Sequence, residues 1–286
     1  MDNKNLSLLQ LHAAVFLFGI SGLFTKFIVQ SSIIIVLGRV FFSSIFLLIG
    51  IYISKESLKL KNKKDLLGIF FMGAVLAIHW CTFFQGIKLS TVAIGLLTFS
   101  TFPIFVTFME PFFFHEKLRK KDICLAFMTF IGILFVIPDF QVENKMTMGA
   151  IFGIISSFSY AVLSLLNRKY VKKYKGVIIA FYEQVISFII LLPFFFIIKP
   201  VISEKELLLL LLLGTVFTGI AHTLFISSLK NVKTQTAGII SSLEPLYGIV
   251  FSIFLLNEFP SIKEIIGGTI ILGTVFYSTM KNLKNK

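Results

Sequence analysis

Residues Ser32–Ile53 read SIIIVLGRVFFSSIFLLIGIYI, a run of 22 residues in which Arg39 is the only charged side chain. At ~1.5 Å of rise per residue, a helix of this length crosses the ~30 Å hydrocarbon layer of a bilayer. Inside that layer every backbone N–H and C=O group must be paired within its own segment. The run therefore predicts a transmembrane α-helix.

The rest of the chain has the same character. Of its 286 residues, 56% are hydrophobic and 14% are charged, and the mean hydropathy is +0.92. In a soluble domain roughly a quarter of the residues are charged, so the low charged fraction of this chain indicates a surface that faces lipid. The apolar stretches, of which the fifth is the shortest, are 9–29, 32–53, 66–87, 91–114, 123–137, 147–167, 177–198, 207–229, 235–256 and 262–280. We expect an all-α integral membrane protein with ten transmembrane helices.

The positions of lysine and arginine predict the orientation. If ten spans alternate across the membrane, twenty of the 27 basic residues lie on one side and five on the other. The basic side holds both chain ends and the loops 54–65, 115–122 and 168–176. By the positive-inside rule, both termini are predicted to be cytoplasmic in a multi-pass protein of the cell (inner or plasma) membrane. Because the net charge of +13 is carried by such short loops, we expect contact with membrane lipid and not with nucleic acid.

The second half of the sequence repeats the first. A shift of 142 residues places 83–123 on 225–265 without a gap, and eight positions are then identical. The identical pairs are Phe83/Phe225, Lys88/Lys230, Ser100/Ser242, Pro103/Pro245, Phe112/Phe254, Glu116/Glu258, Lys121/Lys263 and Ile123/Ile265. Proline is rare in this chain, so the matched proline within a span carries the most weight.

A repeat unit of five spans predicts an inverted architecture. Since five is odd, the two copies, residues 1–140 and 147–286, are expected to cross the membrane in opposite senses. Inverted repeats build a solute site near the middle of the membrane and let it face either side in turn. The repeat thus links the sequence to transport.

The segment Ser228–Phe276, SLKNVKTQTAGIISSLEPLYGIVFSIFLLNEFPSIKEIIGGTIILGTVF, resembles the signature half of the EamA family in the drug/metabolite transporter superfamily. Gly86–Val136 and FGISGLFTKF at Phe18–Phe27 are similar in the same way. The first copy departs from the second at Phe102, which stands in the place of Glu244. The resemblance implies secondary transport, often export, of amino acids, nucleotide-related compounds, vitamins or toxic metabolites. We expect no cofactor.

Two charged residues within spans are candidates for solute contact. Arg39 lies a third of the way into its span, where a charge costs roughly 2.5–3.5 kcal/mol on insertion scales. Its approximate counterpart in the second half is Glu183. Both are predicted to face a wet central cavity and to touch the solute or a coupling ion. The alternative is a structural ion pair, or a side chain that reaches the outer interface.

Three further sites carry chemistry within the spans. Glu244, just before Pro245, could exchange a proton or pair with a cationic solute, or it could bond backbone that the proline leaves unpaired. Trp80 and His222 are equivalent under the shift, and His79 adjoins Trp80. They would suit an amphipathic solute, or they pack helices and form an interfacial belt.

The remaining candidates are structural. Pro103 and Pro245 are candidate hinges, although a simple bend in each helix is the plainer interpretation. Glu110, Glu116 and Glu258 lie near span ends and are expected to be solvated caps or loop anchors. Cys81 and Cys124 have no metal-binding spacing, and no metal site is expected.

Three functional hypotheses follow. The sequence holds no phosphate-binding GxxxxGK[ST] motif and no HExxH motif, so neither an ATP-driven pump nor an enzyme is expected. The first hypothesis is a secondary transporter of an amino-acid-like or related amphipathic metabolite, an exporter or exchanger, with the proton as a candidate coupling ion. The second is an importer of a vitamin or metabolic intermediate, and the third is a non-transporting structural or lipid-handling protein. The sequence allows either a monomer or a homodimer.

Overall fold

A computed structural model describes residues 3–114, 120–137, 141, 143–232 and 234–284, and within these ranges the regular structure is entirely helical. A six-residue π-helical turn, Thr215–Ile220, joins α10 to α11. The helices are α1 (Asn3–Ser21), α2 (Phe24–Phe27), α3 (Ser32–Ile53), α4 (Asp65–Leu89), α5 (Val92–Phe99), α6 (Phe102–Phe114), α7 (Lys120–Val136), α8 (Lys145–Tyr170), α9 (Gly176–Ile198), α10 (Glu204–Gly214), α11 (Ala221–Ser228), α12 (Thr234–Ser241), α13 (Glu244–Leu256) and α14 (Ile262–Lys284).

Seven helical segments in the described residues are long and apolar enough to cross a membrane. They correspond to the predicted spans one to four and six to eight. The fifth and ninth predicted spans contain shorter apolar helices, Ile123–Val136 and Glu244–Leu256, and the tenth coincides with α14. The chain is therefore an all-helical multi-pass membrane protein, while the count of ten spans stays a prediction.

The fourth and ninth predicted spans are each two half-helices instead of one bent helix. A two-residue turn separates α5 from α6, and another separates α12 from α13. Pro103 and Pro245 are the second residues of α6 and α13. The N–H groups in the first turn of a helix have no acceptor within the helix, so a proline in that turn costs no hydrogen bond. Both half-helices can therefore begin next to their prolines. The helical hydrogen bonding is interrupted just before each proline, and whether Pro103 and Pro245 act as bends or as hinges stays a prediction.

Matched serines bond the backbone at the two breaks in the same way. The hydroxyl of Ser100 donates to the carbonyl of Leu96 at 2.7 Å. The hydroxyl of Ser242 donates to the carbonyl of Gly238 at 3.0 Å. Both carbonyls lie four residues back, and each also accepts the backbone N–H of the same serine, at 3.0 Å for Ser100 and 3.1 Å for Ser242. The two breaks are therefore alike in bonding as well as in sequence.

Helix contacts follow one pattern in both halves. α4 packs on α8 and α9, and the segment from α10 to α11 packs correspondingly on α1 and α3. α5 and α6 pack on α8, as α12 and α13 pack on α1. The pairs α3 with α9 and α7 with α14 join equivalent helices. Most long contacts therefore run between the halves, and the core lies where the halves meet.

Glycines permit the closest of these approaches. A Cβ atom added to Gly149 of α8 would lie 2.8 Å from the carbonyl oxygen of Gly86 on α4. One added to Gly267 of α14 would lie 2.6 Å from the carbonyl oxygen of Gly132 on α7. Small residues that bring backbones together are typical of helix packing in membranes. The α4–α8 contact brings aromatic side chains of both helices to the centre of the protein.

Candidate functional site

A small buried cavity lies between the two halves. Its volume is about 20 Å³, close to the space that one water molecule needs. Its wall is made by Phe18, Ser21, Arg39, His79, Trp80, Phe83, Phe99, Tyr160, His222 and Glu244. These residues come from α1, α3, α4, α5, α8, α11 and α13. Five of the six residues predicted to contact solute therefore line one cavity, and Glu183 does not.

Arg39 is buried with its flat face against aromatic rings. The guanidinium carbon lies 3.9 Å from the ring centroid of Trp80 and 4.9 Å from that of Phe84, and 1% of the residue is exposed. Its Nε donates to Thr218 Oγ1 at 2.9 Å. Cation–π contact of this kind is worth about 2 kcal/mol or more when both groups are desolvated. The rings and the threonine hold the charge in place without neutralising it.

Thr218 owes its position to the π-helical turn. Its hydroxyl donates to the carbonyl of Leu213, five residues back, at 2.7 Å. The same oxygen accepts from Arg39. π-helical turns inside α-helices occur frequently at functional sites. Neither Thr218 nor the turn is visible in the hydropathy of the eighth span, which is uniform through this region.

Glu183 pairs with His222 and not with Arg39. The Glu183 Oε2 atom lies 2.7 Å from His222 Nε2, and Glu183 is fully buried. His222 also contacts Trp80, with ring centroids 5.3 Å apart. Within the described residues, the other carboxylate oxygen, Oε1, has no hydrogen-bond partner. The structural alternative of an Arg39–Glu183 ion pair is not formed, and Glu183 lies behind the cavity wall.

Glu244 is the second buried carboxylate, and it faces the cavity. It is the first residue of α13, just after the break in the ninth predicted span, and 4% of it is exposed. Among the described residues, no ion pair and no hydrogen bond engages its side chain. Glu244 and Arg39 thus line the same cavity, and in the described structure no hydrogen bond or ion pair joins their side chains.

His79 is held by α8 in an aromatic cluster. Its Nδ1 atom lies 2.8 Å from Ser156 Oγ and 3.1 Å from the Ser156 carbonyl oxygen. Its ring lies 4.6 Å from the Tyr160 ring, centroid to centroid, and 5.4 Å from that of Phe99. A buried imidazole needs polar partners, and for His79 they come from Ser156 of the neighbouring α8. Tyr160 and Phe99 were not predicted, because aromatic residues are so common in this chain that none stands out.

Two glutamates fasten the second half to the first at one end of the bundle. Glu258 accepts from the backbone N–H of Val92 and lies 3.6 Å from Lys26 Nζ. Glu264 accepts from Thr91 Oγ1 at 2.7 Å. The expectation that Glu258 anchors a loop agrees with these contacts. Glu116, its equivalent, lies outside the described residues.

At the other end of the bundle the contacts differ. Glu110 is buried and lies 3.0 Å from Arg168 Nη1, so the expectation of a solvated cap is wrong for this residue. The span prediction places Glu110 near a helix end, but the α6–α8 contact covers it. Asp65 accepts from Lys173 at 3.1 Å and from Tyr174 at 2.7 Å. In the described residues no group of three metal-ligating side chains is present.

Comparison with known proteins places this architecture in a family. A model described as the EamA-like transporter family matches residues 5–137 and, a second time, residues 147–280. The chain belongs to the EamA-like transporter family. It is a membrane transporter and not an enzyme, and this membership decides against a purely structural or lipid-handling protein.

Individual relatives of this EamA-like chain are distant. The S-adenosylmethionine uptake transporter of Rickettsia conorii is 25% identical over 256 residues, which cover 87% of this chain and 84% of that protein. An uncharacterized transporter of Archaeoglobus fulgidus is 27% identical over 194 residues, covering 68% and 69%. A solved crystal structure superposes with a TM-score of 0.72 over 98% of both chains at 15% identity. That likeness concerns the fold alone.

Proposed function

We propose that this protein is a secondary transporter that exposes its central cavity alternately to the two sides of the cell membrane. Ten spans form two inverted repeats, residues 1–140 and 147–286, with both termini in the cytoplasm. The transported solute is a small amino-acid-like or related amphipathic metabolite, and the protein acts as an exporter or exchanger. The observation that carries the proposal is a buried cavity between the halves whose wall holds two ionisable side chains, Arg39 and Glu244, that do not bond each other directly.

The helix contacts support the inverted arrangement. If the two halves are exchanged, the contacts of α4 with α8 and α9 correspond to the contacts of the α10–α11 segment with α1 and α3. The broken spans with their matched serine bonds map onto each other as well. Five spans per half then require opposite directions through the membrane. A carrier built this way opens to either side by rocking one half against the other.

Transport by purified protein tests the proposal directly. We expect proteoliposomes to exchange at least one radiolabelled compound from a panel of the twenty amino acids and S-adenosylmethionine, above empty liposomes. The Arg39→Gln and Glu244→Gln variants should lose this exchange, whereas Glu143→Gln, an exposed carboxylate, should keep it. Wild-type protein that is folded and yet exchanges no compound of the panel would contradict the proposed solute class.

Orientation gives a second prediction. Lys59 and Lys199 lie in equivalent loops of the two repeats and are exposed. We expect a cysteine at Lys59 to react with a membrane-impermeant maleimide only from the cytoplasmic side, and one at Lys199 only from the outside. Cys81 and Cys124 are replaced by serine in both variants. Labelling of both positions from the same side would overturn the inverted arrangement.

A third prediction concerns the closure of the outer side. In the proposed orientation Glu258, Val92 and Lys26 meet at the outer end, and their contacts must break when that end opens. Charge-assisted hydrogen bonds contribute roughly 1.5–3 kcal/mol, and ~1.4 kcal/mol corresponds to a tenfold change in population. We expect Glu258→Gln to raise the rate at which a cysteine at Ser21, in the cavity wall, is labelled from outside by about tenfold.

The control for this prediction is Glu143→Gln, which should leave the labelling rate within twofold of the parent protein. A labelling rate unchanged by Glu258→Gln would show that these contacts do not hold the outer end closed. The same assay on Glu264→Gln measures whether the Thr91 contact adds to the closure.

We further propose the proton as the coupling ion, bound by Glu183 and His222. If Arg39 is positive and Glu183 and Glu244 are both negative, these three buried groups carry a net charge of −1. One bound proton makes the sum neutral. A charge without a partner is costly inside a membrane protein, so a neutral sum is favoured. Glu183 bonds His222, and the titratable or charged groups that share the cavity wall with His222 are Arg39, His79, Tyr160 and Glu244.

A second candidate function is uptake of S-adenosylmethionine or a related intermediate. The similarity to the S-adenosylmethionine uptake transporter of Rickettsia conorii favours it. Uptake of radiolabelled S-adenosylmethionine by cells that express this chain, above cells with Arg39→Gln, would support import. Loss of preloaded solute from the same cells, with no uptake, would support export.

A further inference from the structure

A second, larger cavity lies at the basic end of the bundle, outside the central site. Its volume is about 540 Å³, and it lies where the loops 54–65 and 168–176 meet the end of α11. Its wall holds five lysines: Lys61, Lys172, Lys173, Lys175 and Lys230. We call it the lysine cavity. In the proposed orientation it lies on the cytoplasmic side of the membrane.

Two of the five lysines are paired with carboxylates. Lys173 Nζ lies 3.1 Å from Asp65 Oδ1, and Lys175 Nζ is paired with Glu56. The other three are exposed, and among the described residues no ion pair engages them: Lys61, Lys172 and Lys230. Three positive charges that no carboxylate of the described chain neutralises therefore meet in one cavity.

The start of α9 adds to this positive wall. Gly176 and Val177, the first two residues of the helix, line the cavity, and no side chain of the described residues caps the helix. A Cβ atom added to Gly176 would lie 2.9 Å from the backbone nitrogen of Ser227, so α9 begins in direct contact with α11. N–H groups in a first helical turn lack helical acceptors, and the helix dipole favours an anion beside them. Lysines and a helix start in one cavity are suited to a phosphate group.

An apolar groove adjoins the lysine cavity. Val177 lines both, and the groove has a volume of about 350 Å³ between α3, α9 and α11. Its wall includes Leu47 and Gly50, in the half of α3 that ends at the lysine cavity. Phe46 and Ile220, which also line it, are 37% and 38% exposed. The groove therefore opens at the apolar surface of the bundle, where lipid chains lie.

We infer that the lysine cavity and the apolar groove together bind a phospholipid with an anionic headgroup. Its phosphate lies among the three unpaired lysines at the start of α9, and one acyl chain lies in the groove. A soluble phosphate compound would leave the groove empty, and an uncharged lipid would leave the lysines without a counter-charge. Anionic lipids of the cytoplasmic leaflet attract basic segments at the membrane surface. The residues that line this site differ from those of the central cavity, so the inference does not depend on the solute.

Native mass spectrometry of the purified protein in a neutral detergent measures this binding. One probe is dioleoylphosphatidylglycerol, which is anionic. The second is dioleoylphosphatidylcholine, which has the same chains on a zwitterionic headgroup, and the third is glycerol 3-phosphate, which has no acyl chain. Wild-type protein is expected to bind phosphatidylglycerol about tenfold or more tightly than either of the other two, because only this lipid meets both parts of the site.

Charge substitutions test the lysine cavity. The triple variant Lys61→Gln, Lys172→Gln and Lys230→Gln should reduce the preference for phosphatidylglycerol over phosphatidylcholine to about twofold. The matched control removes the same charge from exposed positions at the same end that do not line the cavity, and it should keep the preference: Lys59→Gln, Lys63→Gln and Lys169→Gln.

A larger side chain tests the groove. A Cβ atom added to Gly50 meets no other atom within 4 Å, so Gly50→Leu fits and fills part of the groove. We expect it to lower the affinity for phosphatidylglycerol by about fivefold and to leave that for glycerol 3-phosphate unchanged. Gly273→Leu is the matched control, because a Cβ atom there also meets open space and Gly273 lies on α14, outside the groove. It should change neither affinity.

Three results would overturn the inference. Equal affinity of the wild-type protein for the two phospholipids would exclude an anionic headgroup, and this comparison needs no variant. Equal loss of the preference in both lysine triple variants would show that the charge of the whole end attracts lipid, without a defined cavity. Binding of glycerol 3-phosphate as tight as that of phosphatidylglycerol, with no effect of Gly50→Leu, would indicate a site for soluble phosphate compounds.

Discussion

Arg39→Gln is expected to lower transport by roughly 30- to 150-fold while the protein remains folded and in the membrane. The estimate corresponds to the loss of charge-assisted hydrogen bonds, about 2–3 kcal/mol, from a desolvated site. The fold should survive because Arg39 forms one hydrogen bond in the described structure, to Thr218. Removing the charge also relieves its cost in the membrane interior. Counterflow of the amino-acid panel measures the effect.

Two further variants distinguish the roles of Arg39. Arg39→Lys keeps the charge but not the flat fork that lies on Trp80, so it should remain folded and restore transport only in part. Thr218→Val removes the partner of Nε and leaves the cation–π contact, so an intermediate loss of about fivefold is expected. Transport by Arg39→Gln at the wild-type rate would exclude Arg39 from solute binding.

Glu183→Gln is expected to separate exchange from uphill transport. A tenfold proton gradient stores ~1.4 kcal/mol per proton, enough for about tenfold accumulation at one proton per solute. Glutamine can still accept a hydrogen bond from His222, but it cannot take up and release the proton. Accumulation should therefore fall to a ratio near one, while exchange of labelled for unlabelled solute stays within about twofold of wild type.

The control for this experiment is Glu206→Gln, which removes a buried carboxylate at the start of α10, far from the cavity wall. It should leave the accumulation ratio unchanged. Tenfold accumulation by the Glu183→Gln protein would contradict the proposed role of Glu183 in binding the coupling proton, and Glu244 would then be assigned that role. Loss of exchange together with accumulation would assign Glu183 a structural role, as the support of His222.

The sequence predicted the helical class and the location of most spans because hydropathy acts over whole segments. It also predicted five residues of the cavity wall, since charges, imidazoles and tryptophan are conspicuous among apolar neighbours. The alternative of an ion pair between Arg39 and Glu183 was wrong, because a match between repeats does not say which side chains meet. In the structure Arg39 bonds Thr218, and Glu183 bonds His222.

The local backbone geometry of the broken spans and of the π-helical turn could not be predicted from the sequence. Proline within an apolar run is compatible with a bend or a break, and only the packing of α5, α6, α12 and α13 decides between them. The π-helical turn depends on one residue more than an α-helix needs, which the pattern of a uniformly apolar span does not reveal. Aromatic wall residues such as Tyr160 were hidden by the abundance of phenylalanine.

The π-helical turn also breaks the equality of the halves. It lies in the segment Glu204–Ser228, whereas the corresponding helix of the first half, α4, is a continuous α-helix. Two shapes related by perfect symmetry would have the same free energy, and a carrier alternating between them would rest on neither side. In the proposed alternating-access arrangement, one surplus residue in a single half would remove that degeneracy and give the empty carrier a preferred resting orientation before any gradient is applied.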